Sequence, residues 1–475
     1  MLHLYMEPEV YSQELVEHLI EYATRQGADY IAFLFQEEDS GSMVVENGEL
    51  KAFEEGKSSG LGIRVLVNGS LGIASSTKFS LQVLKESVKY ALRMAKASKK
   101  GIEKTCLSDT EPLKTTIESA WKKNPDDFSD EEKLKLLLET NKAAQLEGIV
   151  SSNTRMGWMT ERRLFQSSEG ALVETTVHMA GLAHSAIASS GDRMESMFDS
   201  KSRCAGFEFI SDVDWQEFSS NISNTALKAV QAPTPESGTY KVIADPAMVG
   251  LIFHEALGHA SEGDLVTSGE SVLEGCLGKK VASPLVTIVD QGIVEDGFYV
   301  PFDDEGVEKK RQIVVEKGFL RGFLHSRSSA MKLGCQSTGN ARCQSFGDKP
   351  LVRQTNYFIE GGDRSFEELL EGIDSGIYLC GSGARGGEVD VGRGAFTFSS
   401  GPSFAIKKGE LAEMIRGVSV GGMVLDTLNR VTAVGKDVSI ETSIFGGCGK
   451  DGQRARVGHG GPHILIEKMA IGGKS

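Results

Sequence analysis

Apolar residues recur at helical spacing near the start of the chain (Leu15, Val16, Leu19, Ile20, Ala23), which predicts an amphipathic helix. Strand-like runs follow at 30–35, 42–53 and 62–67. Asn68-Gly69 separates the last of these from another apolar run at 71–74, the pattern of a tight hairpin. A second amphipathic helix is predicted over 80–97, with Leu81, Leu84, Val88, Ala91, Leu92 and Ala95 on one face. Residues 98–128 are polar and read as a connector. The order then recurs in outline. Ser129-Asp-Glu-Glu132 fits a capping box opening a helix to residue 145, strand-like stretches run through 149–158, 162–166 and 172–188, and a helix covers 215–230. Residues 9–100 and 130–230 are therefore candidate copies of one helix–strands–helix unit.

Two prolines and a Ser-Gly fall within residues 231–238, the clearest boundary in the chain. Beyond it only 248–259, 327–332 and 366–373 have helical character, and short β-type runs alternate with glycine pairs. Glycine occupies 55 of 475 positions, well above the usual ~7%, which points to many tight turns and bulges. The expected fold is α+β in two domains. An N-terminal α/β domain with a mixed sheet spans 1–230, and a β-rich, glycine-rich C-terminal domain spanning 235–475 carries one isolated apolar helix.

Charge and cysteine usage narrow the function classes. Lys+Arg total 51 against 66 Asp+Glu, a net charge of −15, which argues against a nucleic-acid footprint or an anionic membrane surface. Seven cysteines, an odd number without scaffold-like spacing, do not suggest a secreted disulfide framework. The N-terminal residues lack a signal-peptide pattern. The longest apolar stretch, 246–260, is interrupted by His254, Glu255 and His259, so no membrane span is expected. The expected setting is the cytoplasm.

Those interrupting residues carry the chemistry. A His-Glu pair with a second His on an apolar helix is how zinc hydrolases bring two imidazoles and a general base together. Here the histidines stand at i, i+5, and on an ideal helix they diverge by about 140°. A one-residue π-bulge would stack them, and Gly258 inside the motif would ease such a distortion. Two imidazoles need a third ligand, for which Glu262, Asp264, Cys276 and Cys448 are candidates. Arg342, Arg353 and Asn356 are candidates to hold a peptide backbone or carboxylate. His459 and His463 are candidate substrate contacts or supports of the ligands.

Taken with Glu262-Gly-Asp264 and Gly446-Gly-Cys-Gly-Lys-Asp-Gly-Gln453, the segment His254-Glu-Ala-Leu-Gly-His259 resembles the TldD/PmbA family of metalloproteases, in its TldD branch. Asp303–Gly306, Gly318–Gly322, Ser337–Arg342, Val352–Asn356 and Arg416-Gly-Val are similar to recurring stretches of that family in the same order, and Gly62–Ser76 is so more weakly. The resemblance implies His254, His259 and Cys448 as ligands and Glu255 as catalytic base. It also implies a dimer enclosing the site, and it sets the chain apart from the PmbA (TldE) branch, which lacks the histidine motif.

The function expected is a metal-dependent peptidase holding one divalent ion, zinc with iron(II) or another metal as alternatives. Its substrates would be short or unfolded polypeptides cut with weak sequence preference, gripped along an exposed strand edge such as that of the Asn68-Gly69 hairpin. The enclosing partner would be a second copy or a PmbA/TldE-like subunit. Two rivals stand beside this reading. One is a dipeptidyl peptidase III-like hydrolase with a carboxylate third ligand, and the other a non-catalytic metal-binding or regulatory subunit.

Overall fold

The computed structural model describes residues 12–97, 104–384 and 386–473, so residues 98–103 of the expected connector lie outside the described part. From Ser12, which accepts from the Leu15 N–H as N-cap, the N-terminal half runs α1 (Gln13–Arg25), β1 (Tyr30–Glu46), β2 (Glu49–Val67), β3 (Ser70–Ser76) and α2 (Leu81–Ala97). It continues with β4 (Lys114–Glu118), α3 (Asp130–Ala143), β5 (Ile149–Ser167), β6 (Leu172–Ser190), β7 (Arg193–Arg203), α4 (Glu208–Ser211) and α5 (Trp215–Ala229). The capping box at Ser129 and Glu132 is formed.

All seven strands join one sheet in the order β3-β2-β1-β5-β6-β4, with β7 also on β6; only β4 runs parallel to its neighbour. Three strands, β1, β2 and β5, are far longer than their apolar runs suggested, while β6 matches the expected 172–188 to within two residues. β1 continues through the polar stretch 36–41, and β1 and β2 meet at an Asn47-Gly48 turn that the sequence reading had passed through as strand. Both turn residues have positive φ, the same signal as Asn68-Gly69. The polar stretch does not end the strand because of what it faces. Odd-numbered residues of β1 pack under the helices, Ile31, Phe33 and Phe35 with α1 and α2, Met43 and Val45 with α3. Even-numbered residues turn to the C-terminal half, where Ala32 and Leu34 meet Cys343, and the buried Gln36 accepts from the Phe346 N–H at 2.8 Å. Gln36 and Glu38 therefore serve a seam between two halves of the molecule, while Glu37 and Asp39 on the other face meet solvent.

After residue 237 the chain builds two larger sheets. The first has nine strands and includes β8 (Gly238–Ala244) beside Ser375–Leu379 and Ile464–Gly473. The second has six, ending in the order Ile288–Asp290, Asn356–Ile359, Gly458–Gly461, Ser439–Thr442. α6 (Pro246–Phe253) starts at Asp245, whose carboxylate accepts from the Met248 N–H at 2.7 Å, with Pro246 at the first helical position. Its side chains Met248, Val249, Ile252 and Phe253 are buried in one core with residues of both sheets. The helix lies so close to strand Gly458–Gly461 that a Cβ on Gly250 would stand 2.7 Å from the Gly460 nitrogen. Much of the glycine excess serves such contacts.

The seam is equally tight. A Cβ on Gly62 of β2 would stand 1.7 Å from the Phe346 carbonyl oxygen, a clash with backbone that cannot yield cheaply. Gly62→Ala is expected to destabilise the protein by about 2–3 kcal/mol through overpacking. A urea midpoint shift read by circular dichroism checks it; an unchanged midpoint would mean that the seam is not held this closely.

Candidate metal centre

The last turn of α6 does not continue as an α-helix. His254–Gly258 form a π-turn, closed by the His259 N–H donating to the His254 carbonyl, and residues 259–261 follow as a 3₁₀ turn. The extra residue per turn brings the two imidazoles together, with ring centroids 5.5 Å apart. Gly258 acts differently from the sequence expectation. Its backbone is ordinary right-handed helix (φ −58°, ψ −49°), so no conformational freedom is used. What it supplies is space: a Cβ there would stand 2.0 Å from Gln354 Oε1. Gln354 occupies that gap and donates from Nε2 to the His254 carbonyl at 3.1 Å.

Cys448 arrives on a short hairpin in which Cys448–Lys450 pairs with Gln453–Ala455 around an Asp451-Gly452 turn. Its Sγ is 2.9 Å from His259 Nε2. The Glu255 carboxylate reaches to 3.6 Å from His259 Nε2 and 4.0 Å from His254 Nε2. One ligand atom from each of His254, Glu255, His259 and Cys448 lies within 4.8 Å of all the others. Glu262, Asp264 and Cys276 do not join that cluster.

Hydrogen bonds around the cluster fix its orientation. Glu262, fully buried, faces His259 Nδ1 at 3.1 Å. Lys450 then donates to Glu262 Oε2 at 2.9 Å, to Asp264 Oδ1 at 2.7 Å and to the Val352 carbonyl at 3.1 Å. The sequence names Glu262 and Asp264 as possible ligands, but Lys450 was not singled out. Its signal was present: residues two apart on a strand share a face, so Lys450 must point the same way as Cys448. Gln354 carries no such signal, because its partner lies 100 residues away.

The remaining candidates are dispersed. Arg353, only 1% exposed, donates to the Cys448 carbonyl at 2.5 Å and so holds the hairpin. Asn356 is fully buried, donating to the carbonyls of Gln291, Gly292 and Phe298 and accepting from the Phe298 N–H. Arg342 lies under Phe298 and donates to the Gln354 carbonyl at 3.0 Å. His459 is on strand Gly458–Gly461, its ring 5.6 Å from that of His254. His463 sits elsewhere, between Tyr378 and Asp437.

The donor set suits a cation. Burial, reinforced by His259, drives His254 well below its ordinary pKa, leaving a neutral imidazole, and its Nδ1 is buried without a partner. Burial also disfavours charge on His259, but the Glu262 carboxylate and Cys448 outweigh it and hold that imidazole high, a proton that a bound cation would displace. Burial raises the Glu255 carboxyl. Glu255 is also the most open of the four, its side chain 34% exposed, onto a cavity of about 230 Å³. That cavity is walled by Ser200 of β7 and by Glu441 and Thr442 of the sheet-end strand Ser439–Thr442.

Two imidazoles, a thiol and an open carboxylate converging at a helix end form the donor pattern of a metallopeptidase. Family models match along the chain: PmbA/TldA metallopeptidase domain 1 matches residues 32–98, the central domain 123–230 and the C-terminal domain 237–473. A metalloprotease of Methanothermobacter thermautotrophicus is 38% identical over 91% of this chain and 93% of its own length. A zinc metalloprotease TldD homolog of Saccharolobus solfataricus is 32% identical over 65% and 68%. TldE from Thermococcus kodakarensis shares the fold, with a TM-score of 0.77 at 20% identity over 97% of this chain and 100% of that one. The chain belongs to the PmbA/TldA (TldD) metallopeptidase family and is an enzyme of that class. Among the described residues no helix is long and apolar enough to cross a membrane.

Removing a carboxylate that orients a ligand imidazole commonly lowers metal affinity by about 10–100-fold. Glu262→Gln and Lys450→Met are each expected to do so, measured by competition with a chromogenic chelator. Wild-type affinity in both would show that the buried network does not act on His259.

Proposed function

We propose that the protein hydrolyses peptide bonds of unfolded or short polypeptides with weak sequence preference, using one divalent metal held by His254, His259 and Cys448. The observation that carries this is the convergence of those three side chains with Glu255 on one point at the cavity wall. Zinc suits the nitrogen and sulfur donors and agrees with the name of the Saccharolobus relative; iron(II) suits them too. When bound, the metal would supply Lewis acidity and lower the pKa of water in its open position.

Glu255 is the general base. It is placed to take a proton from the attacking water and to return it to the leaving amine. Burial raises its affinity for that proton. A Cys448 thiolate donates more charge than a carboxylate or imidazole would, so the expected turnover is modest.

Substrate form follows from the cavity walls. Among the described residues β7 pairs only with β6, and Ser439–Thr442 ends its sheet, so strand edges from both halves flank the centre. The edge expected at β3 does not line this cavity. An extended chain entering here would be read through main-chain hydrogen bonds, which any sequence can make. An enclosing partner of the same fold, a second copy or a PmbA/TldE-like subunit, would restrict entry further. The cytoplasm fits a thiol ligand and seven free cysteines.

Glu255→Gln is expected to keep metal near wild-type stoichiometry while lowering hydrolysis by about 10²–10⁴-fold. Loss of the metal instead would make Glu255 a ligand. Cys448→Ala is expected to lose the metal, and full retention would favour a carboxylate third ligand. One polypeptide offered folded and then destabilised by a core substitution should be cut only in the second form. Equal rates would end the reading of an enclosed, backbone-gripping site, and chelator should abolish either rate.

A further inference from the structure

A second cavity, of about 430 Å³, lies across the Gly446-Gly447 turn from the metal centre; both glycines line each cavity. It opens on the seam between the N-terminal sheet and the C-terminal half, and its polar wall contains Arg163, Arg342, Arg454 and Arg456. Four acids line it too, and each is committed. Glu161 and Asp304 both pair with Arg163 at 2.9 Å. Glu38 stands 3.8 Å from Arg456. Asp303 accepts from the backbone N–H groups of Glu305, Val307 and Ala341.

Two guanidiniums are left over. Among the described residues, neither Arg342 nor Arg454 has a carboxylate at ion-pair distance. Arg454 is exposed at the rim. Arg342 is only 9% exposed, lies against the Phe298 ring at 5.5 Å and donates to one carbonyl, that of Gln354. Burial drives its pKa down to about 10, with Arg163 and Arg353 adding to the shift, and the more distant Asp304 and Glu161 carboxylates offset this only in part. Burying an unpaired charge is costly, and an anion in the cavity would relieve that cost.

We propose that this cavity is a substrate subsite for a carboxylate, held by Arg342 and assisted at the rim by Arg454. The inference rests on the peptidase reading: a peptide crossing the Gly446-Gly447 turn would lie in both cavities at once. A side chain at Gly446 would project into open space there, and glycine leaves it clear, whereas Gly447 is needed for close packing, since a Cβ on it would stand 2.7 Å from the Ala455 carbonyl oxygen. A guanidinium fork matches carboxylate geometry, and phenyl rings such as Phe298 and Phe445 suit the carbon chain beside it. The carboxylate has two sources, a free C-terminus or an Asp or Glu side chain.

The test uses four peptides of one sequence, ending in acid or amide and carrying Glu or Gln at one internal position. With the metal-loaded wild type, a carboxylate form is expected to show KM about tenfold below its neutral counterpart at similar kcat, as for a charged hydrogen-bonded pair. The member of the set that gains identifies the source. Arg342→Met should erase the preference, Arg342→Lys should keep part of it, and Arg454→Ala should weaken it. Equal KM for all four peptides with the wild type overturns the proposal, whether or not the variants fold. Calorimetric binding of the same peptides to Glu255→Gln separates the two readings. A carboxylate preference there without cleavage by wild type would sink the peptidase reading and uphold the subsite, and no preference would sink the subsite.

Discussion

Two imidazoles five residues apart share a point only if the helix between them gives up its period of about 3.6 residues. The π-turn at His254–Gly258 does this, and the surrounding structure is arranged to hold it. A lengthened turn binds its own carbonyls less regularly, so they are met from outside. The His254 carbonyl takes both the His259 N–H and the Gln354 side chain, and the Gly258 carbonyl accepts from Ser261 Oγ at 2.7 Å. Residue 354 reaches the helix only because residue 258 has no side chain. Its neighbour Arg353 grips the Cys448 carbonyl. Two adjacent residues of one extended segment thus fix both the histidine helix and the cysteine hairpin, which are nearly two hundred positions apart in sequence.

Charge is buried to the same end. Glu262 and the Lys450 side chain are almost entirely out of water, an arrangement that would be costly for either alone. His259 and Lys450 both meet Glu262 at Oε2, while its Oε1 is buried without a partner, and the chain of contacts from His259 Nδ1 outward leaves Nε2 directed at the cysteine sulfur. Burial pushes the Glu262 carboxyl upward, yet His259 and Lys450 outweigh it and keep it ionised. Such a network gains little stability over an apolar core of the same shape. Its value lies in setting the orientation of one imidazole before any ligand arrives.

Local chemistry was legible in the sequence wherever one short segment carried it. The i, i+5 spacing already demanded a π-turn, the capping box at Ser129 and the Asn68-Gly69 hairpin formed as read, and α1, α2 and α5 came within a residue or two. Long-range pairing was not legible. Strand β7 carries few apolar residues, since Met194 and Phe198 are exposed, so it gave no alternation to detect. The break expected in β1 is absent because Gln36 and Glu38 on one face meet the C-terminal half while the backbone continues to pair with β2 and β5. The Arg and Asn residues near 353–356 have the composition of a binding site. Their burial gives them backbone carbonyls as partners instead, a distinction that needs three dimensions.

The centre sits at the end of a helix buried between two sheets, and it opens toward a third. Under the proposed reading, that position would let the enzyme discriminate by substrate conformation. A strand inside a folded domain has its N–H and C=O groups already paired, and releasing them into an edge-flanked cleft costs several hydrogen bonds before any are regained. An unfolded chain carries no such debt beyond its entropy. The same edges that would invite aggregation on an open surface are here turned inward on both sides of Glu255, so under the proposed reading the feature that endangers other β-proteins would become the means of holding the substrate.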